Sequence, residues 1–219
     1  MKKLFVMTLA AMALIGCQKA DTNPFFNYKN WDTPHGTYPF EEIKTEHFMP
    51  AFEQAFAEGY AEIDSIVANP EAPTFENTIE AMDEAGEMLN CVAGCFYNLT
   101  HSETNEQLQA LEQELSPKMS EYSTSIILNE GLFARVKAVY EQRDQLTLTA
   151  DQKELLQDTY DSFANNGANL DAEAKEKYRE LTSRLSKLTL TYGQNVLKAT
   201  NAWTKLITDE ALLQGLSDD

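Results

Sequence analysis

The chain has 219 residues and is strongly acidic, with 17 lysines and arginines against 35 aspartates and glutamates and a formal charge of −18. This balance excludes nucleic acid as an expected partner, because phosphate backbones are bound by lysine and arginine. Nine glycines and seven prolines are few for this length, which disfavours a turn-rich β-sandwich or barrel. The hydrophobic content of 43% suffices for a core. Composition therefore predicts an all-α protein.

The first sixteen residues have the pattern of a lipoprotein signal peptide. A basic start at residues 1–3 precedes an apolar run, residues 4–16, which is shorter than the about 20 residues that a bilayer span requires. The run ends in Leu-Ile-Gly before Cys17, which resembles the bacterial lipobox. The resemblance implies lipidation of Cys17 and an exported lipoprotein anchored to a membrane of the bacterial cell envelope. An ordinary secretory signal, with Cys17 incidental, is the alternative.

A tether and an aromatic arm, residues 17–45, follow the signal peptide. Residues 18–24 are polar and suit a flexible tether between lipid and folded domain. From Pro24 to Pro39 the chain is rich in aromatic and turn-forming residues. This composition predicts an extended arm that is held to the body by its aromatic side chains.

Residues 46–219 form the predicted helical domain, with six helices and no strand. The first helix is expected to begin at Pro50 and to end before the proline-rich residues 69–73. The second is expected to run unbroken from 75 to about 99, behind Thr74 as N-cap, in a central position. The starts of the other four are predicted from a capping box at Thr104–Gln107, Asn129, a capping box at Thr149–Gln152, and Asp171.

The last helix carries apolar residues at helical spacing over most of its length. They are Ala174, Tyr178, Leu181, Leu185, Leu188, Tyr192 and Val196. Gly167 is predicted to end the helix before it, and Pro117 to kink the helix that contains it.

The histidines and cysteines of this sequence do not form a recognisable metal-binding or catalytic pattern. His35, His47 and His101 lie far apart, and none is followed by glutamate, so the zinc-protease motif H-E-x-x-H is absent. Isolated histidines of this kind are interpreted as structural or solvated, because a metal site needs convergent ligands. Cys91 and Cys95 are interpreted as thiols of the second helix, with Cys95 buried and Cys91 more exposed.

No other catalytic motif is present, since the G-x-S-x-G, P-loop and G-x-G-x-x-G patterns are all missing. Carboxylate clusters are interpreted as solvated helix faces. We therefore predict no catalytic, cofactor-binding or metal-ligating residue in the chain. Cys17, as a lipidation site, is the one functional residue that we predict.

Several stretches of the chain resemble a known family in their order and spacing. They are residues 39–43, HFMPAF (47–52), NPEAPTFENTI (69–79), NEGLFARVKAVY (129–140), YGQNVLKATNAW (192–203) and residues 212–216. Together they resemble the N-terminal helical region of the thimet-oligopeptidase family of zinc metallopeptidases. Residues 23–26 and 33–37 are most similar to its bacterial peptidyl-dipeptidase branch.

The resemblance implies a two-lobed, nearly all-helical enzyme that hydrolyses short peptides in a channel; the peptidyl-dipeptidase branch removes C-terminal dipeptides. In that family H-E-x-x-H and a downstream glutamate hold zinc, and the motif glutamate is the general base. Those residues belong to a C-terminal part that these 219 residues do not contain. The expectation is an incomplete chain that lacks the catalytic domain, is inactive alone and binds no zinc.

Two other interpretations stay open at this stage. One is a complete, non-enzymatic helical lipoprotein that binds a partner or ligand, which the lipobox and six helices would equally suit. The other is a degenerate peptidase that keeps only the channel half.

Overall fold

The computed structural model describes residues 23–215, and every regular element in that range is helical. The all-α prediction is therefore confirmed, whereas the predicted signal peptide and Cys17 lie outside the described residues. The α-helices are α1 (Thr45–Ala68), α2 (Ala81–Glu84), α3 (Glu87–Ser102), α4 (Glu106–Ile127), α5 (Glu130–Glu141), α6 (Ala150–Asn165) and α7 (Ala172–Ala202). Within residues 23–215, no helix combines the length and hydropathy of a membrane span.

Helix α1 runs through both parts of the hydrophobic core. Its first half contributes Phe48, Phe52 and Phe56 to a cluster with residues of α3 and α4. Its second half contributes Ile63 and Ile66 to a cluster with a π-helical turn (Phe75–Glu80), α5 and α6. The two clusters are thus joined by one continuous helix.

The aromatic arm packs on the first cluster, but it is not extended throughout. Pro24–Asn30 and Pro34–Gly36 form short 3-10 helices, so the prediction of an extended arm is wrong for these residues. Phe25 is fully buried, with its ring centroid 5.3 Å from that of Phe48. The Tyr38 hydroxyl donates a hydrogen bond of 3.2 Å to the carbonyl of Cys91 in α3.

Helix α1 begins at Thr45, so the prediction that Pro50 starts it is wrong. The reason is a local cap: His47 Nδ1 accepts a hydrogen bond of 3.1 Å from the backbone N–H of Lys44. The Asn23 side chain also donates to the His47 carbonyl at 2.7 Å. Histidine is not a usual capping residue, so sequence pattern alone favoured the proline.

The predicted single helix from 75 to about 99 is broken, and that prediction is also wrong. Thr74 does cap its start, but the chain then forms the π-helical turn and α2, and Gly86 separates α2 from α3. Gly86 has a φ of +80°, a left-handed conformation that glycine adopts without steric cost. Its N–H donates to Glu62 Oε2 of α1 at 2.7 Å. This tertiary hydrogen bond stabilises the break.

Four of the other predicted helix boundaries are confirmed. Asn129 caps the start of α5, and Asp171 caps the start of α7. The capping box of Thr149 and Gln152 begins α6, and Gly167 follows the end of that helix. The capping box at Thr104 and Gln107 is wrong by one residue. Asn105 is the N-cap of α4, and its side chain accepts hydrogen bonds from the N–H groups of Gln107 and Leu108 at 3.0 Å.

Helix α7 packs on α4 through a polar face and exposes its apolar one. The Ser186 and Ser116 hydroxyls are 2.7 Å apart, and Gln113 Nε2 donates to Gln194 Oε1 at 2.7 Å. Five apolar residues on another face of the helix are exposed, and we call them the α7 stripe: Leu181, Leu185, Leu188, Tyr192 and Val196. Apolar stripes of helices ordinarily face a core, so this arrangement is the reverse of the usual one.

Two glycines in helix interiors give opposite predictions for the same change to alanine. A Cβ on Gly59 would collide with the Tyr122 hydroxyl, whereas a Cβ on Gly193 would meet nothing within 4 Å. We expect Gly59→Ala to lower the free energy of unfolding by about 1–3 kcal/mol through overpacking. Gly193→Ala should raise it by about 0.5–1 kcal/mol through helix propensity.

Urea unfolding followed by circular dichroism measures both values. Tyr122→Phe removes the colliding hydroxyl, so part of the loss in Gly59→Ala should be recovered in the double variant. Equal effects of the two glycine substitutions would contradict the close approach of α1 and α4.

Candidate functional site

The most organised polar cluster within residues 23–215 surrounds the guanidinium of Arg135 in α5. This side chain is 8% exposed, and Nη1 donates to the carbonyls of Asn69 and Glu71 at 3.0 and 3.3 Å. Nη2 donates to Asn77 Oδ1 at 2.9 Å. A single cation therefore fixes the loop between α1 and the π-helical turn.

Asn77 completes this cluster by holding its own loop. Its Oδ1 also accepts from the N–H of Thr74 at 2.8 Å and from the Thr78 hydroxyl at 2.9 Å. Its Nδ2 donates to the carbonyl of Ala72 at 3.0 Å. Sequence reasoning missed this cluster, although the spacing of Thr74 and Asn77 could have indicated a reciprocal cap. These contacts join two of the stretches that carry the family resemblance, residues 69–79 and 129–140.

The Arg135 cluster has no catalytic geometry. Its acceptors at 2.9–3.3 Å are carbonyl and amide oxygens of the protein itself, and Nε is buried without a hydrogen-bond partner. Arginine stays protonated in proteins, so it cannot act as a general base here. The cluster positions a loop and performs no chemistry of its own.

An open cleft of about 870 Å³ lies between the second half of α1 and the break at Gly86. Its lining includes four carboxylates, those of Glu62, Asp83, Glu84 and Glu87, and one cation, Lys29. All four side chains are exposed, which confirms their interpretation as solvated helix faces.

Glu87 at the edge of this cleft is paired with the aromatic arm. Lys29 Nζ lies 2.5 Å from Glu87 Oε2, and the Tyr28 hydroxyl donates to the same oxygen at 3.3 Å. The hydrogen bond from Lys29 lowers the pKa of the Glu87 carboxyl below its usual value. Glu87 is therefore ionised at neutral pH and does not have the raised pKa of a general acid.

The thiols of α3 are equally unsuited to catalysis. Burial raises the pKa of the Cys91 thiol to about 11 and that of the Cys95 thiol to about 12. Both are protonated at neutral pH, whereas nucleophilic cysteines need a lowered pKa. Cys95 is buried and Cys91 only partly so, as predicted.

The histidines lie in three separate places. His47 is buried in the first turn of α1, which confirms its structural role, and His35 and His101 are exposed. Among residues 23–215, no group of three or more histidine, cysteine, aspartate or glutamate side chains could hold a metal ion. The described part of the chain therefore offers a helical scaffold with an open acidic cleft, and Cys17 cannot be placed in it.

The comparisons with known proteins identify the class of proteins to which this scaffold is related. Dipeptidyl carboxypeptidase of Escherichia coli is 34% identical over 196 residues, which cover 90% of this chain and 28% of the relative. Oligopeptidase A of Salmonella typhimurium is 33% identical over 180 residues, covering 82% of this chain and 26% of the relative. Oligopeptidase A of E. coli is 31% identical over 90% of this chain. No family model matches the sequence.

The chain is homologous to dipeptidyl carboxypeptidase and oligopeptidase A of the thimet-oligopeptidase family. The family resemblance seen in the sequence is thereby confirmed. The chain spans less than a third of the length of these relatives, at 28% of the E. coli dipeptidyl carboxypeptidase.

Removal of the Arg135 guanidinium tests whether it holds the loop of residues 69–77. We expect Arg135→Met to lower the free energy of unfolding by about 2–3 kcal/mol, because buried acceptors lose a charged donor. Arg179→Met is the matched control. Arg179 donates to Glu176 on the surface of α7 at 3.2 Å, and such a pair contributes at most about 1 kcal/mol.

Denaturant unfolding of the two variants measures both values. A loss in Arg135→Met no larger than that in Arg179→Met would show that the loop is held by other contacts.

Proposed function

We propose that this chain is the N-terminal portion of an exported zinc metallopeptidase that hydrolyses short peptides. The observation that carries the proposal is the identity of 34% with a dipeptidyl carboxypeptidase over 90% of the chain. The relatives known by the name oligopeptidase A support the same substrate class, short peptides.

In this proposal the chain forms part of the helical framework of the enzyme, and the catalytic residues lie in the rest of the enzyme. Zinc does not fit residues 23–215, because His47 is already used as a helix cap and no convergent set of ligands occurs there. We therefore assign zinc and its ligands to the portion of the enzyme outside the matched segment. The helices of this chain contribute one wall of a narrow channel, which restricts substrates by size.

Export and membrane anchoring form a separate part of the proposal. They are supported by the basic start, the apolar run and the lipobox-like sequence that ends at Cys17. A lipid on Cys17 would hold the protein at a membrane of the bacterial cell envelope, with residues 18–24 as a tether. Peptides that reach the envelope would then be its substrates.

A chimera tests the peptidase proposal. Residues 23–215 would replace the matched segment of the E. coli dipeptidyl carboxypeptidase. We expect the chimera to release C-terminal dipeptides from short peptides, to lose this activity with a chelator and to regain it with zinc. The 219-residue chain alone should release none. Liquid chromatography of the peptide products measures each reaction.

The matched control is the relative with its segment deleted, which should be inactive. A chimera that is folded and monodisperse but hydrolyses no peptide would contradict the proposal and favour a non-enzymatic helical lipoprotein. Hydrolysis by the 219-residue chain alone would contradict the assignment of the zinc site to a portion of the enzyme outside this chain.

Substitution of Cys17 tests the membrane anchor. In cells that express the full sequence, we expect radiolabelled palmitate to be incorporated into the wild type and the protein to sediment with membranes. Cys17→Ser removes the thiol that the lipid requires, so label and sedimentation should both be lost. Cys91→Ser, which changes a partly buried thiol of α3, should leave both unchanged. Equal labelling of wild type and Cys17→Ser would refute the lipobox assignment.

A further inference from the structure

The aromatic arm is fixed to the body of the protein from its first described residue. Asn23 is 9% exposed, and its Nδ2 donates a hydrogen bond of 2.7 Å to the carbonyl of His47 in α1. Its Oδ1 accepts from the N–H of Phe25 at 3.1 Å, and the Phe25 ring is fully buried. The indole N–H of Trp31 donates to the carbonyl of Pro24 at 2.9 Å. The arm therefore cannot lengthen the tether without losing buried contacts.

The proposed lipid on Cys17 is close in the chain to this attachment point. Six residue steps separate Cys17 from Asn23, and a fully extended chain spans at most about 20 Å over that length. Helix α1, with 24 residues, is about 36 Å long by comparison. In every orientation of the body, Asn23 therefore lies within about 20 Å of the point at which the lipid is attached.

Phe26 is the exposed large apolar residue nearest in the chain to this point within residues 23–215. Its N–H donates to the carbonyl of Asn23 at 3.1 Å in the 3-10 helix Pro24–Asn30, and its side chain is 49% exposed. A single exposed apolar residue needs no explanation by itself. Phe26 differs from the others because the tether would hold it near the lipid. Phenylalanine is among the residues that surface-bound segments bury at the boundary between headgroups and acyl chains.

The distribution of charge along the chain favours the same orientation. Residues 17–40 contain two cations and two carboxylates, so this segment has no net charge. Two lysines are the only charged residues before it, and the formal charge of −18 for the whole chain therefore leaves −20 for residues 41–219. Anionic lipids repel the acidic body but not the neutral arm. The body is thus expected to point away from the membrane and the arm towards it.

Two other arrangements fit these observations less well. A second copy that docked on Phe26 would bring two strongly acidic bodies together, and like charges repel. The α7 stripe is also apolar and exposed, but no constraint comparable to the short tether places it near the lipid. The arm combines neutrality, an exposed aromatic side chain and enforced proximity to the lipid.

We propose that the 3-10 helix Pro24–Asn30 is the surface with which the anchored protein contacts a phospholipid membrane, with the Phe26 side chain inserted among the headgroups. This inference rests on the proposed membrane anchor and adds the face of the fold that lies against the membrane. Because Asn23 and Phe25 fix this helix to α1, the contact would hold the whole described body in one orientation.

The test locates the contact by fluorescence quenching. The lipidated protein is purified in detergent and reconstituted into vesicles of phosphatidylethanolamine and phosphatidylcholine with brominated acyl chains, because bromine near the headgroups quenches tryptophan on contact. Trp203→Phe leaves Trp31 as the only tryptophan, and Phe26→Trp/Trp203→Phe adds a reporter at the proposed contact. We expect the added tryptophan to be quenched. The fluorescence that Trp203 contributes to the wild type should not be quenched.

Phe26→Asp tests whether the side chain itself makes the contact. Amide exchange across residues 24–30 should be about tenfold faster in the anchored variant than in the anchored wild type, since burial of a phenylalanine contributes on that scale. Half of the side chain is exposed, so the thermal unfolding midpoint of the variant should not fall. Leu206→Asp is the matched control, because Leu206 is 88% exposed and lies outside the arm. It should exchange like the wild type across residues 24–30.

The lipid composition of the vesicles tests the kind of contact. An uncharged arm that inserts an aromatic side chain does not need anionic lipid, so quenching at position 26 should persist without phosphatidylglycerol and at high salt. Quenching that required phosphatidylglycerol and vanished at high salt would overturn the inference. So would quenching of Trp203 in place of the reporter at position 26, because another face would then lie on the membrane. Self-association that Phe26→Asp abolishes would make a second copy the occupant and overturn it as well.

The outcomes separate this surface from the proposed function. Lipid on Cys17 without quenching at position 26 would overturn the surface and leave the anchor standing. Absence of both the lipid and the quenching would overturn the anchor and the surface together. Peptide hydrolysis by the chimera depends on neither result, so the peptidase proposal stands or falls separately.

Discussion

The continuity of α1 is the constraint on which the described structure depends. One 24-residue helix supplies three phenylalanines to the first core cluster and two isoleucines to the second. Gly59 lies between these groups, where the Tyr122 side chain of α4 crosses the helix. A side chain at this position would collide with the Tyr122 ring and hydroxyl.

The contact between α7 and α4 is polar because α7 lies outside the two core clusters. The two clusters contain residues of α3, α4, α5 and α6, and α7 contributes no residue to either cluster. Serine, threonine and glutamine side chains join α7 to α4, and the α7 stripe is exposed.

The buried polar groups of the described residues are used to hold the fold. The buried cation Arg135 is used to fix a loop, and the buried thiols are protonated at neutral pH. The carboxylates that line the cleft beside Gly86 are exposed to solvent.

The sequence by itself determined the all-α class, most helix boundaries and the family, because capping residues, helical periodicity and ordered motifs are local properties of the chain. The break at Gly86 was missed, since Glu62, which stabilises it, lies 24 residues away. Arg135 was missed because nothing local distinguishes a surface arginine from a buried one. Periodicity likewise found the α7 stripe but not its direction. Only the tertiary structure decided which way the stripe faces, because the side that a helix buries depends on the surface that its neighbouring helices offer.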